Sequence, residues 1–131
     1  MLDIDNFKKV NDTYGHDTGD SVLVQIANAV QSRLRSNDLL ARVGGEEFAV
    51  LVPETEQRAA MTLANDLCAT VRQIDHFHRE TGQKFKVTIS LGVSERFESD
   101  TSIDEVLKRA DEALYQAKRG TKDCAVLYIP S

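Results

Sequence analysis

"ARVGGEEFAV", residues 41–50, sets two glycines and two glutamates side by side between apolar runs. With its flanks it becomes "LLARVGGEEFAVLVP", which reads as two strands joined at Gly44 and Gly45. That spacing predicts a two-residue hairpin loop at positive φ, a conformation glycine adopts without strain. Adjacent carboxylates at the tip of a hairpin repel one another, so the stretch also raises the question of what Glu46 and Glu47 hold.

Outward from the hairpin the hydrophobic period changes. Leu23, Ile26, Ala27, Val30 and Leu34 recur at helical spacing and predict a long helix from Asp20 to Arg35. It follows a shorter helix over 6–13 and a loop containing Gly15 and Gly19. After Pro53, the positions Ala60, Leu63, Ala64, Leu67, Val71 and Ile74 predict another helix, ending at a polar loop, "DHFHRETGQK". "FKVTISLGV" alternates as a strand, Ile103 to Leu114 carries a helical stripe, and "CAVLYI" reads as a closing strand. Strands and helices mixed in this way, with one tight hairpin, predict an α/β or α+β sheet with helices packed on it.

The chain has 131 residues, the length of one domain able to close a core. Apolar content of 41% and charged content of 28% are those of a globular protein rather than a disordered one. A net charge of −5 argues against sequence-blind nucleic-acid binding, so a polyanionic ligand would need help from cations. No apolar run is long enough to cross a bilayer and "MLDIDNFKKV" is no signal peptide, so the reading is cytoplasmic. Cys68 and Cys124 form no C-x-x-C pair and are expected as reduced thiols. The opening strand, Met1 to Asp5, is short for a core strand of about four to eight residues. The expectation is therefore of a domain truncated at its start, with a helix or sensory region ahead of Met1.

If the opening strand is extended, Asp3 and Asp5 share a face, and the hairpin brings Glu46 and Glu47 as further candidates for the same site. Like charges at such separations call for protonation or a cation, and an oxygen-only set suits magnesium shared with substrate phosphates. Asp5, just ahead of "NFKK", also reads as a helix N-cap. A calcium EF-hand fails on spacing, because "DIDNFKKVNDTYG" puts Phe7 and Lys8 where the loop needs a ligand and a glycine. His76 and His78 lack a third convergent ligand and read as surface residues of a polar loop.

Four ordered segments, "MLDIDNFKKVNDTYGHDTGD", "RVGGEEF", "TISLGV" and "ADEALYQAKRGTKD", resemble the GGDEF family of bacterial diguanylate cyclases over nearly the whole chain. The resemblance implies a mostly antiparallel central sheet similar to the palm of adenylyl cyclases and polymerases. It implies condensation of two GTP into cyclic di-GMP with release of two pyrophosphates, each domain of a two-fold dimer holding one GTP. Asp3, the Ile4 carbonyl, Glu46 and Glu47 would then surround magnesium or manganese ions, two per half-site, with Glu46 also the candidate base. Asn11 and Asp20 would read guanine, with His16 nearby. Lys8, Lys118 and Lys122 would meet the phosphates against the bare backbone of Gly44 and Gly45, although Lys122 stands where the family often has arginine. Arg35 and Asp38 have the R-x-x-D spacing of the family's inhibitory product site, and an ordinary helix-end ion pair is the rival reading. An inactive domain that only binds GTP or cyclic di-GMP, and a dimerising regulatory module, are the other functional classes.

Overall fold

A computed structural model describes residues 1–130. Eleven elements follow in order: β1 (Leu2–Ile4), α1 (Phe7–Tyr14), α2 (His16–Ser32), β2 (Leu39–Arg42), β3 (Glu47–Leu51) and α3 (Gln57–Arg72). Then come β4 (His76–Phe77), β5 (Lys84–Phe85), β6 (Ile89–Val93), α4 (Ile103–Arg119) and β7 (Ala125–Leu127). Five strands form the main sheet in the order β2-β3-β1-β6-β7, antiparallel except for the β6–β7 pair. The α+β class and the mostly antiparallel sheet expected from the sequence are what the structure has.

Strand alternation divides the residues between two faces. Leu2 pairs in register with Phe48 on one side and Leu91 on the other, and this row lies in a core shared with α1, α2 and α3. Phe7, Val10, Val22, Ile26, Val30, Leu67 and Val71 fill that core at helical spacing. The next row, Glu47–Asp3–Ser90, points the other way. There α4 covers β6, its small residues Ala110, Ala113 and Ala117 buried. Gly92 sets the distance: a Cβ added to it would stand 2.0 Å from the Ala110 carbonyl oxygen and 2.2 Å from the Leu114 nitrogen. The helix starts in a capping box, with Ser102 and Glu105 exchanging side-chain and backbone hydrogen bonds.

The structure corrects several sequence expectations. Helix α2 begins at His16, four residues before the expected Asp20, because Gly15 alone, at φ +91°, makes the break. Gly19 lies buried inside the helix and serves close packing: a Cβ there would fall 1.8 Å from Asn11 Oδ1. Neither Gly44 nor Gly45 takes positive φ, and the hairpin connection is the four residues 43–46 rather than two. The Glu47 carbonyl accepts from the amides of both Val43 and Gly44, which widens the turn and removes the demand for a left-handed residue. "DHFHRETGQK" is no simple loop, since β4 and β5 pair there as a separate two-stranded sheet. The expected long strand from Phe85 accordingly splits into β5 and β6. His76 is buried, not at the surface, and stacks on Phe85 with neither ring nitrogen bonded among the described residues. Both cysteines are free, as expected, and burial pushes the Cys68 thiol up to about 12.

Replacing Gly92 by alanine is expected to cost about 3 kcal/mol or more, because both close contacts are rigid helix backbone that cannot turn aside. Urea unfolding of Gly92→Ala beside the parent measures this, and equal midpoints would contradict the packing described.

Candidate functional site

The acids converge because two paired strands carry them to one face. Asp3 in β1 and Glu47 in β3 are register partners, and Glu46 precedes Glu47 at the hairpin exit, where its carbonyl accepts the Ile4 amide at 3.2 Å. Ile4 thus buries its side chain in the core while its backbone lies at the acidic face. Lys118, in the last turn of α4, reaches this face: Nζ lies 2.7 Å from Asp3 Oδ1, 2.9 Å from Asp5 Oδ1 and 3.3 Å from the Ile4 carbonyl oxygen.

Asp5 is not the helix cap its position suggests. Asn6 occupies that place at left-handed φ, and the Asp5 side chain is turned inward with the residue only 2% exposed. Its Oδ1 accepts from Ser90 Oγ and Lys118 Nζ; its Oδ2 accepts from Thr88 Oγ1 and the Asp123 amide. Burial pushes the carboxyl up, but those four bonds outweigh it, Lys118 foremost, and leave Asp5 below the usual carboxylate range.

Asp3 and Glu47 shift the other way. Burial raises Asp3 first, and Glu46 and Asp5 add to the rise that Lys118 only partly opposes. Glu47 is raised by burial, then by Asp111, Asp3 and Glu46. A face that holds ionised carboxylates at a disadvantage gains from a second cation, and its donors are all oxygen. Among the described residues no three His, Cys, Asp or Glu side chains close around one point. The set therefore suits an ion whose remaining positions go to water or phosphate, as magnesium prefers. Lys118 is the stand-in that shows the Asp3 carboxylate and Ile4 carbonyl accepting one cation together.

The other expected residues lie around this centre with differing support. Gly44 and Gly45 are exposed, and their carbonyls accept from the Arg42 guanidinium at 3.2, 3.0 and 2.6 Å. Arg42 is thus a shaping residue that the sequence reading missed; its signal is an arginine two places before the glycine pair. Asn11 packs over the buried Gly19 where α1 crosses α2, and the neighbouring Asp20 is exposed. His16 is the first residue of α2 and is exposed, as is Lys8 on α1. Lys122, at φ +56°, donates to Asn6 Oδ1 at 3.1 Å. Arg35 and Asp38 stand apart, at the turn after α2. Asp38 Oδ2 takes the Arg35 amide at 2.8 Å and Nε at 3.5 Å, while the Arg35 Nη2 donates to Thr55. Asp38 Oδ1 is buried without a partner among the described residues, and the Arg35 side chain is 67% exposed. A cleft of about 820 Å³, with Leu63, Leu67, Leu91, Val106 and Leu107 in its wall, includes none of the acids at 3, 46 and 47 and lies apart from them.

Fold and site together define a class: an α+β domain with an oxygen-only acid site beside a glycine loop and lysines, suited to a divalent cation and a phosphorylated ligand. The sequence profile of the diguanylate cyclase GGDEF domain matches residues 1–124, and the chain belongs to that family. It is 44% identical over 123 residues to the diguanylate cyclase DgcP of Pseudomonas aeruginosa, covering 94% of this chain and 18% of that protein. Among solved structures, the active GGEEF domain of a diguanylate cyclase from Vibrio cholerae superposes with a TM-score of 0.90 at 35% identity, covering 99% of this chain and 81% of that one. The GGDEF domain of DgcB from Caulobacter crescentus, in complex with c-di-GMP, gives 0.92 at 35% identity, covering 97% and 74%. The chain spans between 18% and 34% of the length of the first curated relatives it matches.

Asp5 ties β1, β6 and the segment after α4 at one point, so Asp5→Asn is expected to cost about 3 kcal/mol. Because its folded pKa is depressed, its contribution is full above the unfolded value of about 4 and is lost as pH falls through the folded value. Thermal unfolding between pH 6 and pH 2 should show the gap between parent and variant narrowing below about pH 4; a gap unchanged by pH would contradict an ionised Asp5.

Proposed function

We propose that the chain is a diguanylate cyclase domain, a nucleotidyltransferase that joins two GTP into cyclic di-GMP across a two-fold dimer. The observation that carries the reading is the convergence of Asp3, Glu46, Glu47 and the Ile4 carbonyl on one face, with a cation already seated on two of those groups. Each bond-forming step creates a link from a ribose 3′-oxygen to the α-phosphorus of the facing GTP and breaks that phosphorus's bond to the bridging oxygen, releasing pyrophosphate. The two steps are equivalent by symmetry, which an isologous dimer supplies.

Asp3, the Ile4 carbonyl, Glu46 and Glu47 would hold the divalent ions, magnesium or manganese and two per half-site, which lower phosphate charge and acidify the hydroxyl. Glu46 takes the 3′-proton. It lies in the hairpin connection just ahead of β3 rather than inside a strand, where a carboxylate can reach an incoming sugar. Gly45 presents backbone to phosphate without side-chain obstruction, since nothing stands within 4 Å of a Cβ built there, and Gly44 beside it has the Glu47 carboxylate 3.5 Å from such a Cβ. Lys8, Lys118 and Lys122 offset the triphosphate charge, and His16, exposed at the start of α2, is a further substrate contact. Asp20 accepts from guanine N1 and N2 hydrogens beside Asn11, a pattern adenine does not match. Arg35 and Asp38 form the inhibitory product site, with the exposed guanidinium serving a phosphate of the product.

Incubation with GTP and Mg²⁺ followed by nucleotide separation tests the activity. The parent should release cyclic di-GMP and pyrophosphate, and Glu46→Gln should lower turnover by at least about a hundredfold. A parent that binds GTP yet yields no cyclic product would instead leave a nucleotide-binding module. In the same assay added cyclic di-GMP should slow the parent and not Arg35→Ala; equal inhibition of both would remove Arg35 from the product site.

A further inference from the structure

Lys118 occupies an unusual position for a residue whose task is to meet phosphate. An ammonium has three hydrogens to donate, and here all three have oxygen acceptors: Asp3 Oδ1 at 2.7 Å, Asp5 Oδ1 at 2.9 Å and the Ile4 carbonyl at 3.3 Å. Two of those three acceptors belong to the set proposed for divalent ions. The lysine therefore cannot sit as it does while an ion takes the same Asp3 oxygen, and it cannot donate to a phosphate without surrendering one of its bonds.

The three bonds are not equally easy to surrender. Asp5 is buried and fixed from four directions, by Ser90, Thr88, Lys118 and the Asp123 amide. Among the described residues the Asp3 carboxylate has no partner besides Lys118, and its side chain is 16% exposed. The Ile4 contact is the longest of the three. A small rotation about the Lys118 stem keeps the ammonium on Asp5 and frees Asp3 and Ile4 together.

We propose that Lys118 is a tethered counter-ion that occupies the acidic face in the nucleotide-free protein, pivots on Asp5, and yields Asp3 and the Ile4 carbonyl to a divalent ion when a triphosphate offers the ammonium another partner. The proposal rests on the reading of that face given above. Its consequence is coupling: the lysine opposes the ion alone and favours the ion together with nucleotide, so each ligand strengthens the other's binding. Such a device discourages loading of the site by a metal without substrate.

Mn²⁺ binding, followed by the loss of the free-ion electron paramagnetic resonance signal, tests this without any turnover. In the absence of nucleotide, Lys118→Met should bind Mn²⁺ about tenfold or more tightly than the parent, since a competing cation has been removed from the same oxygens. A non-hydrolysable GTP analogue should tighten Mn²⁺ binding in the parent by a larger factor than in the variant. Should Lys118→Met lose its fold because Asp3 and Asp5 are left without a counter-charge, Mn²⁺ should restore its circular dichroism signal. Lys118→Arg, which keeps the charge, should bind Mn²⁺ no more tightly than the parent. Equal nucleotide-free affinities in the parent and Lys118→Met, tighter binding by Lys118→Arg, or an unfolded Lys118→Met that Mn²⁺ does not restore would each overturn the proposal. Mn²⁺ binding to neither protein, with or without nucleotide, would instead bring down the metal reading of the face itself.

Discussion

The Asp5 carboxylate is the constraint on which the site depends. It joins an end of β1, the start of β6, the last turn of α4 and the segment beyond it, and does so out of water, where hydrogen bonds gain strength and unpaired groups are costly. Four donors on two oxygens leave it little freedom. Because Asp3 lies two residues earlier on the same strand face, holding Asp5 also fixes where Asp3 points and where the lysine between them stands. The hairpin then completes the face through strand pairing, Asp3 opposite Glu47 and the Ile4 amide on the Glu46 carbonyl. A buried ion pair of this kind is weak as a source of stability and effective as a determinant of geometry.

Charge is distributed unevenly around that point. Burial, with neighbouring acids adding to it, raises the pKa of Asp3 and Glu47 and leaves the face short of cations, while α4 ends in Lys118 and Arg119, a favourable placement for positive charge at a helix C-terminus. With a net charge of −5 the chain offers no broad basic surface, so attraction for a triphosphate has to be local.

Much of this was legible in the sequence, and the losses have physical causes. Elements with a long, regular stripe, α3 and α4, were found within a few residues because hydrophobic period is a local property. Paired acids after a glycine doublet likewise mark a candidate site without reference to the rest of the chain. Gly19 misled because glycine in a polar stretch signals a turn, whereas here it makes space for Asn11 in a contact between two helices. Gly44 and Gly45 misled in the same way; their turn geometry is set by hydrogen bonds to Glu47 and by the Arg42 guanidinium. Asp5 was read as a cap because its four partners are 83 to 118 residues away, and no local pattern encodes them. His76 was read as surface for a similar reason: its burial depends on Phe85 across a two-residue strand pair.

The contact at Gly92 has a mechanical consequence. Where helix backbone rests on strand backbone with no side chain between, there is no soft layer to absorb relative motion, so α4 and β6 move as one stiff piece. Helix α4 runs from its Ser102 cap to the lysine at the acid face, 17 residues or about 25 Å of rigid rod. A tilt applied at the capped end arrives at the far end undamped, and the acid face is joined by that lever to a surface about 25 Å away.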